Sequence, residues 1–234
     1  MLDPLPNYIP LVFGLTSILT LIIFFRAIST SAVHDTRTKA TLILIGLIAW
    51  MLIQCLLALN DFYSNDTRAV PPRFLLAVVP PILTILFLFI TKSGRRFIDS
   101  LPLATITWLS IVRIPVEFVL YWLSLYKAVP ELMTFTGRNF DILAGITAPF
   151  VAYFGISLKK MNPRFILLWN IVSLGLLLNI VINAVLSAPF AIQQFAFDQP
   201  NIAILYFPFI LLPAFIVPVV LFTHLVSIRQ LLKK

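Results

Sequence analysis

The chain alternates long apolar runs with short polar gaps. Seven runs stand out: Ile9–Phe25, Thr41–Leu59, Phe74–Thr91, Leu103–Tyr126, Ile142–Leu158, Phe165–Leu186 and Ile202–Ser227. A helix crosses the hydrocarbon with about 20 apolar residues, and these runs approach or reach that length. Open strands would leave backbone groups unpaired in lipid, so helices are the expected element. The pattern predicts an all-α, polytopic transmembrane bundle of about seven spans, one membrane domain covering residues 1–234.

The gaps are unequal in charge. Alternate connections and the C-terminus hold Arg26, Arg37, Lys39, Lys92, Arg95, Arg96, Lys159, Lys160, Arg164, Arg229, Lys233 and Lys234. The opposite set holds Arg68, Arg73, Lys127 and Arg138. Lys and Arg collect in cytoplasmic loops, so twelve against four predicts the N-terminus outside and the C-terminus in the cytoplasm. Most acids lean the other way: Asp3, Asp61, Asp66, Glu131, Asp141 and Asp198 fall on the expected outer side, Asp35 and Asp99 on the inner. The opening MLDPLPNYIP lacks a basic n-region, so the first run is expected to be a retained span rather than a cleaved signal.

Composition narrows the class. Hydrophobic residues make up 60% of the chain and charged ones 11%, with a mean hydropathy of +1.02. Soluble domains carry about a quarter charged residues, which excludes a soluble globule. The net charge of +8 lies in clusters between the runs, as topology signals do, and does not point to nucleic acid. The lone cysteine, Cys55, rules out an intramolecular disulfide and is expected to be a buried thiol. The expected partners are the lipid bilayer and a small solute, ion or lipid ligand. No cofactor or metal is expected, and the expected location is a cell membrane, of the bacterial inner-membrane kind.

Within the fourth run, LSIVRIPVEFVLYW places Arg113 and Glu117 where lipid-compatible residues are the rule. At about 100° per residue, Ser110, Arg113, Glu117, Tyr121 and Ser124 share an arc of about 80°, with Trp122 turned away. The stripe is expected to face the bundle interior, and Arg113 and Glu117, four apart, are spaced to pair along the helix. A charge at the bilayer centre costs about 2.5–3.5 kcal/mol, so intramembrane ionisable groups are site candidates unless they serve only to join helices. Pro115 lacks an N–H and leaves the Ile111 carbonyl free, which can bend the helix.

A second polar cluster is expected near the outer helix ends. Asn60 and Asp61 follow the second run, and PELMTFTGRNFD supplies Glu131, Arg138, Asn139 and Asp141. Asn139 or Asp141 can cap the fifth helix. In the sharper reading, Glu117, Asp61, Asp141 and Arg138 converge in an outward-facing pocket above Arg113. Asn170, Asn179 and Asn183 of the sixth run are expected to join helices, and secondarily to line a polar cavity. Prolines interrupt the third, fifth and seventh runs at Pro80, Pro81, Pro149, Pro208, Pro213 and Pro218, as kinks or as hinges. His34 and His224 are both expected near the cytoplasmic side and make a poor metal set. SAPFAIQQFAFDQPN, after the sixth run, is expected to lie in the interface.

RIPVEFVLY and GRNFDILAG, with the chain as a whole, resemble uncharacterised bacterial multipass membrane proteins; that resemblance implies the class and no activity. Seven spans are also similar to rhodopsins, but the seventh run has no lysine for a retinal Schiff base. The three-one-three arrangement resembles PQ-loop sugar transporters without their proline–glutamine motif. IPVEFVLYW resembles the Pro-x-Glu-Glu motif of membrane lycopene cyclases, with Phe118 in the second glutamate position.

Three functions follow as expectations. The first is a small-solute or ion transporter with its polar site at Arg113 and Glu117. The second is a membrane enzyme on a lipid or isoprenoid, with Glu117 or Asp141 as acid or base and Arg113 or Arg138 holding an anionic group. The third is a non-catalytic membrane subunit or sensor.

Overall fold

The computed structural model describes residues 5–233; Asp3 and Lys234, both used in the charge reading, lie outside them. The described chain is helical, with no strand among the described residues. Helix α1 (Tyr8–Ser29) leads through a short α2 (His34–Thr38) into α3 (Ala40–Leu59), and α4 (Leu75–Ile90) turns into α5 (Lys92–Ser100). Helix α6 (Leu103–Trp108), a 3₁₀ turn (Leu109–Val112) and α7 (Arg113–Leu125) run on as one span. Helix α8 (Asp141–Phe150) continues into a π-helical stretch (Val151–Ser157); α9 (Pro163–Ser187) follows, then a second π-helical stretch (Leu212–Ile216) that enters α10 (Val217–Leu232).

Five helical segments are long and apolar enough to cross a membrane: Tyr8–Ser29, Ala40–Leu59, Leu103–Leu125, Pro163–Ser187 and Leu212–Leu232. The α4–α5 pair makes a sixth if its 95° bend is counted as one broken span, and Asp141–Ser157 is a shorter apolar helix. The expected seven therefore resolve into five full-length helices, one bent and one short.

The bend has a local cause. Thr91 leaves the helix with extended backbone (φ −79°, ψ 148°), and its hydroxyl accepts the Gly94 N–H at 3.1 Å, capping α5. A Cβ on Gly94 would strike the Leu88 backbone, so only glycine lets α5 fold back this closely. The sequence KSGRRFIDS is too polar for hydrocarbon, and α5 turns Ile98 inward while Lys92 and Arg96 stay exposed. Ser31 Oγ donates to Ser100 Oγ at 2.7 Å, joining the α1–α2 turn to α5. Arg26, Lys39, Lys92 and Arg96 thereby belong to one end of the bundle, the basic end below.

Prolines shape the rest. The last run was expected to be helical from Ile202, but residues 202–211 pass through a 3₁₀ turn (Ala203–Leu205) and further turns, and the span is Leu212–Leu232. Pro208 and Pro213 each remove an N–H that a continuous helix needs. The π-helical stretches follow Pro149 and contain Pro213, which is how a helix absorbs a lost hydrogen bond. Pro115 instead leaves its span intact, with the chain tightened to 3₁₀ geometry just before it. Cys55, expected buried, is half-buried. The α6–α7 span and α10 form the centre of the bundle, and α3 is its most exposed long helix.

Candidate functional site

Arg113 opens α7 and is 3% exposed. Its Nη1 lies 3.1 Å from Asp141 Oδ1 on α8. Both Nη atoms donate to the Ser173 carbonyl of α9, at 3.3 and 3.4 Å. Nη2 is also 3.0 Å from His224 Nε2 on α10. A guanidinium only donates, so Nε2 accepts and the imidazole proton is assigned to Nδ1. Nδ1 then donates to Asn170 Oδ1 at 3.0 Å, and Asn170 Nδ2 donates to the Ile166 carbonyl at 2.9 Å. This relay fixes the ring and holds the guanidinium toward α9 and α10.

Glu117 sits one turn further along α7, also buried. Its Oε1 accepts Asn139 Nδ2 at 2.6 Å. The same Nδ2 donates to the Met133 carbonyl at 3.0 Å, and Asn139 Oδ1 accepts the Asp141 N–H at 3.0 Å. The N-cap of α8 is Phe140, without a side-chain cap bond, and Asn139, just before it, takes the Asp141 N–H while holding Glu117 with the same amide group. Arg113 and Glu117 do not form the intrahelical pair their spacing allows; the guanidinium goes to Asp141 instead. The reason is the crossing of α8 over α7. A Cβ on Gly145 would lie 2.9 Å from Ile114 Cγ1 and 3.3 Å from Arg113 Cβ, so the absent side chain is what brings Asp141 within reach.

The cluster is not fully satisfied. Arg113 Nε, Glu117 Oε2 and Asp141 Oδ1 are buried without a hydrogen-bond partner. Asp141 Oδ1 has the charge of Arg113 beside it, but not in hydrogen-bond alignment. Two carboxylates face one guanidinium. Glu117 and Asp141 also line a cavity of about 150 Å³ whose other walls are apolar, including Val78 and Ile82 of α4, Leu177 and Val181 of α9, and Pro213 and Leu221 on the α10 span.

Loops close the helix end nearest the cluster. Met133 and Asn139 are buried within residues 126–140. The Ala128 carbonyl accepts the Ile202 and Ala203 N–H groups at 3.1 and 3.0 Å, and Gln199 Nε2 donates to the Ser124 and Val129 carbonyls at 3.0 and 2.7 Å. The expected interface segment is thus partly bound into this cover through Gln199 and the buried Asn201. Residues of α4, α9 and the α10 span complete the cavity that Glu117 lines.

Of the four residues expected to converge in an outward pocket, Glu117 and Asp141 meet. Asp61 is exposed, in a left-handed turn (φ 54°), with its carboxylate on Ser64 at 3.1 Å. The Arg138 side chain is exposed, and its carbonyl accepts Asn179 Nδ2 at 2.9 Å. Asn183 Nδ2 donates to the Asn179 carbonyl at 2.8 Å, so this pair ties the loop to α9 rather than lining the cavity. Tyr121 is half-buried and stacks on Phe135, ring centroids 5.0 Å apart. His34 is exposed, whereas His224, expected near the cytoplasmic side, belongs to the cluster. Its signal was a histidine inside an apolar run. No group of three or more His, Cys, Asp or Glu that could hold a metal occurs among the described residues.

Residues 70–232 match the family model described as Domain of unknown function (DUF8737), a stretch that holds every residue of the Arg113 cluster. No curated protein matches the chain. No solved structure matches it.

Proposed function

The chain belongs to the DUF8737 family, and from its buried site we propose a multipass cell-membrane protein that moves small lipophilic cations, exchanging them for protons at Glu117. The observation that carries this reading is Glu117, a buried residue that lines an otherwise apolar cavity and whose Oε2 has no hydrogen-bond partner.

Asp141 balances Arg113, and His224 and Ser173 hold the guanidinium away. Glu117 is left as the carboxylate with no cation of its own. An uncompensated charge is costly in a low-dielectric site, so Glu117 takes either a proton or a cationic ligand. One proton leaves as one monovalent cation binds, and that competition couples the two. The apolar walls favour an organic cation over a hydrated inorganic one, since burying alkyl surface contributes about 25 cal/mol per Å². A cavity of about 150 Å³ suits a small alkylammonium rather than drug-sized ligands, which occupy about 300–1,000 Å³. Pro213 and its π-helical stretch stand at the cavity wall, where a hinge would open one side and then the other.

The test is uptake of radiolabelled tetraethylammonium by proteoliposomes with an acidic lumen. Wild type should accumulate the cation as protons leave, and Glu117→Gln should lower the rate at least tenfold while keeping its helix content. No uptake by wild type, or unchanged uptake by E117Q, would overturn the reading.

A further inference from the structure

A larger cavity, about 460 Å³, lies on the other side of α10 and does not reach Glu117 or Asp141. It is a groove between α3 and α4, floored by α10. Ile43, Gly46 and Trp50 line it on α3, Pro81 and Leu88 on α4, and Phe222 on α10. The two polar side chains on its wall are spent internally: Trp50 Nε1 donates to the Ala214 carbonyl and Thr84 Oγ1 to the Pro80 carbonyl, each at 2.9 Å. The wall offers an occupant hydrocarbon alone. A peptide would lose the partners of its backbone there, whereas an alkyl chain has none to lose.

One end of the groove lies at the basic end of the bundle. Ile43 is one turn from Lys39, Leu88 lies four residues before Lys92, Phe24 is two residues before Arg26, and Phe97 adjoins Arg96. Lys39 already has Asp35 at 2.9 Å. Arg26, Lys92, Arg95 and Arg96 make no ion pair among the described residues, and the acid of α5, Asp99, is taken by Arg229 and Lys233. From Pro80 to Leu88 the groove runs about 12 Å along α4 at 1.5 Å per residue. Gly46 faces open space: apart from its chain neighbours and its own helix backbone, no atom lies within 4 Å of where a Cβ would stand.

We infer that this groove binds an anionic phospholipid, one acyl chain between α3 and α4 and the headgroup on Lys92 and Arg96. The observations that select this occupant are an all-hydrocarbon wall and a rim of cations without counter-ions; juxtamembrane Lys and Arg attract anionic lipid in this way. The site is separate from the Glu117 cavity and does not depend on transport.

Trp50 reports occupancy directly. The full chain is placed in phosphatidylcholine nanodiscs with a small fraction of lipid brominated on its acyl chain, and the Trp50 component of fluorescence is taken by difference from Trp50→Phe. Brominated phosphatidylglycerol should quench Trp50 at a mole fraction at least fivefold lower than brominated phosphatidylcholine. Gly46→Phe, which fills the groove, should abolish that advantage, and the K92Q/R96Q double variant should reduce it to parity. Equal quenching by the two lipids in wild type overturns the inference, as does an advantage that survives in both variants. If G46F does not assemble, the wild-type and K92Q/R96Q measurements decide the matter.

Discussion

Two aspartates of this molecule each face an arginine, in opposite settings. Asp99, on the exposed side of α5, is held by Arg229 through Nε at 2.9 Å and Nη2 at 3.3 Å, and by Lys233. Asp141 is 5% exposed and has one contact with Arg113, at 3.1 Å and out of hydrogen-bond alignment. By geometry the surface pair is the better one. By consequence it is the lesser, because water already solvates its members and the median worth of such pairs is about 0–1 kcal/mol. Inside the bundle the same chemistry cannot be undone cheaply. A guanidinium that loses its partner has no water to turn to, and a poorly aligned carboxylate there outweighs a well-aligned one outside. The imperfect interior pair also leaves a buried oxygen, Asp141 Oδ1, without a hydrogen bond, which a strength-optimised pair would have used up.

The largest expected break of this contrast is Asp141→Ala. It strands Arg113 and should destabilise the fold by about 3–5 kcal/mol, read as a lower midpoint in denaturant titration of the detergent-solubilised protein. Next comes Asn139→Ala, which removes the acceptor for the Asp141 N–H and the donor to Glu117. Its loss should be about 1–3 kcal/mol, the cost of leaving a buried acceptor without its donor, read in the same denaturant titration. Gly145→Leu should cost about 1–3 kcal/mol by overpacking the α7–α8 crossing; differential scanning of the purified variant checks it, and a neutral result would mean that α8 does not press on α7 as described. The smallest is Asp99→Asn, at about 0.2–1 kcal/mol. Partial burial pushes the Asp99 carboxyl up, but hydrogen bonds and charge from Arg229 and Lys233 outweigh it and hold the group below its usual range. Its contribution is therefore full above the ordinary aspartate value of about 3.9 and fades as pH falls through the depressed folded value. A stability–pH profile of wild type minus D99N should be flat near neutrality and converge only in acid.

How far the sequence reached depended on whether a feature was local. The helices of α3, α4 and α9 announce themselves as hydropathy, and their ends fall within a residue or two of the runs. The inward stripe of Arg113 and Glu117 was equally legible from helical spacing. The partner of Arg113 was not, because it depends on how closely α8 approaches, and Gly145 carries that approach without leaving a trace in polarity. His224 failed for a different reason. Starting the last span at Ile202 places position 224 near its end, whereas the span that Pro208 and Pro213 delay to Leu212–Leu232 places it mid-helix. Asp61 and Arg138 shared a loop side with the cluster, but sharing a side says nothing about depth, and both stayed in the open.

The Asp141–Arg113 contact also sets an order on synthesis. When α7 leaves the ribosome it carries an arginine and a glutamate, and their partners Asn139 and Asp141 are still to be made. On insertion scales Arg at mid-helix costs about 2.5 kcal/mol or more, while each Leu, Ile, Phe or Val returns only about 0.3–0.6. A solitary α7 is thus a reluctant traveller into the bilayer, and its retention falls to the next hairpin. The two helices should leave the translocon as a unit, so a chain stopped at residue 130 should hold α7 less firmly in the membrane than one stopped at residue 160.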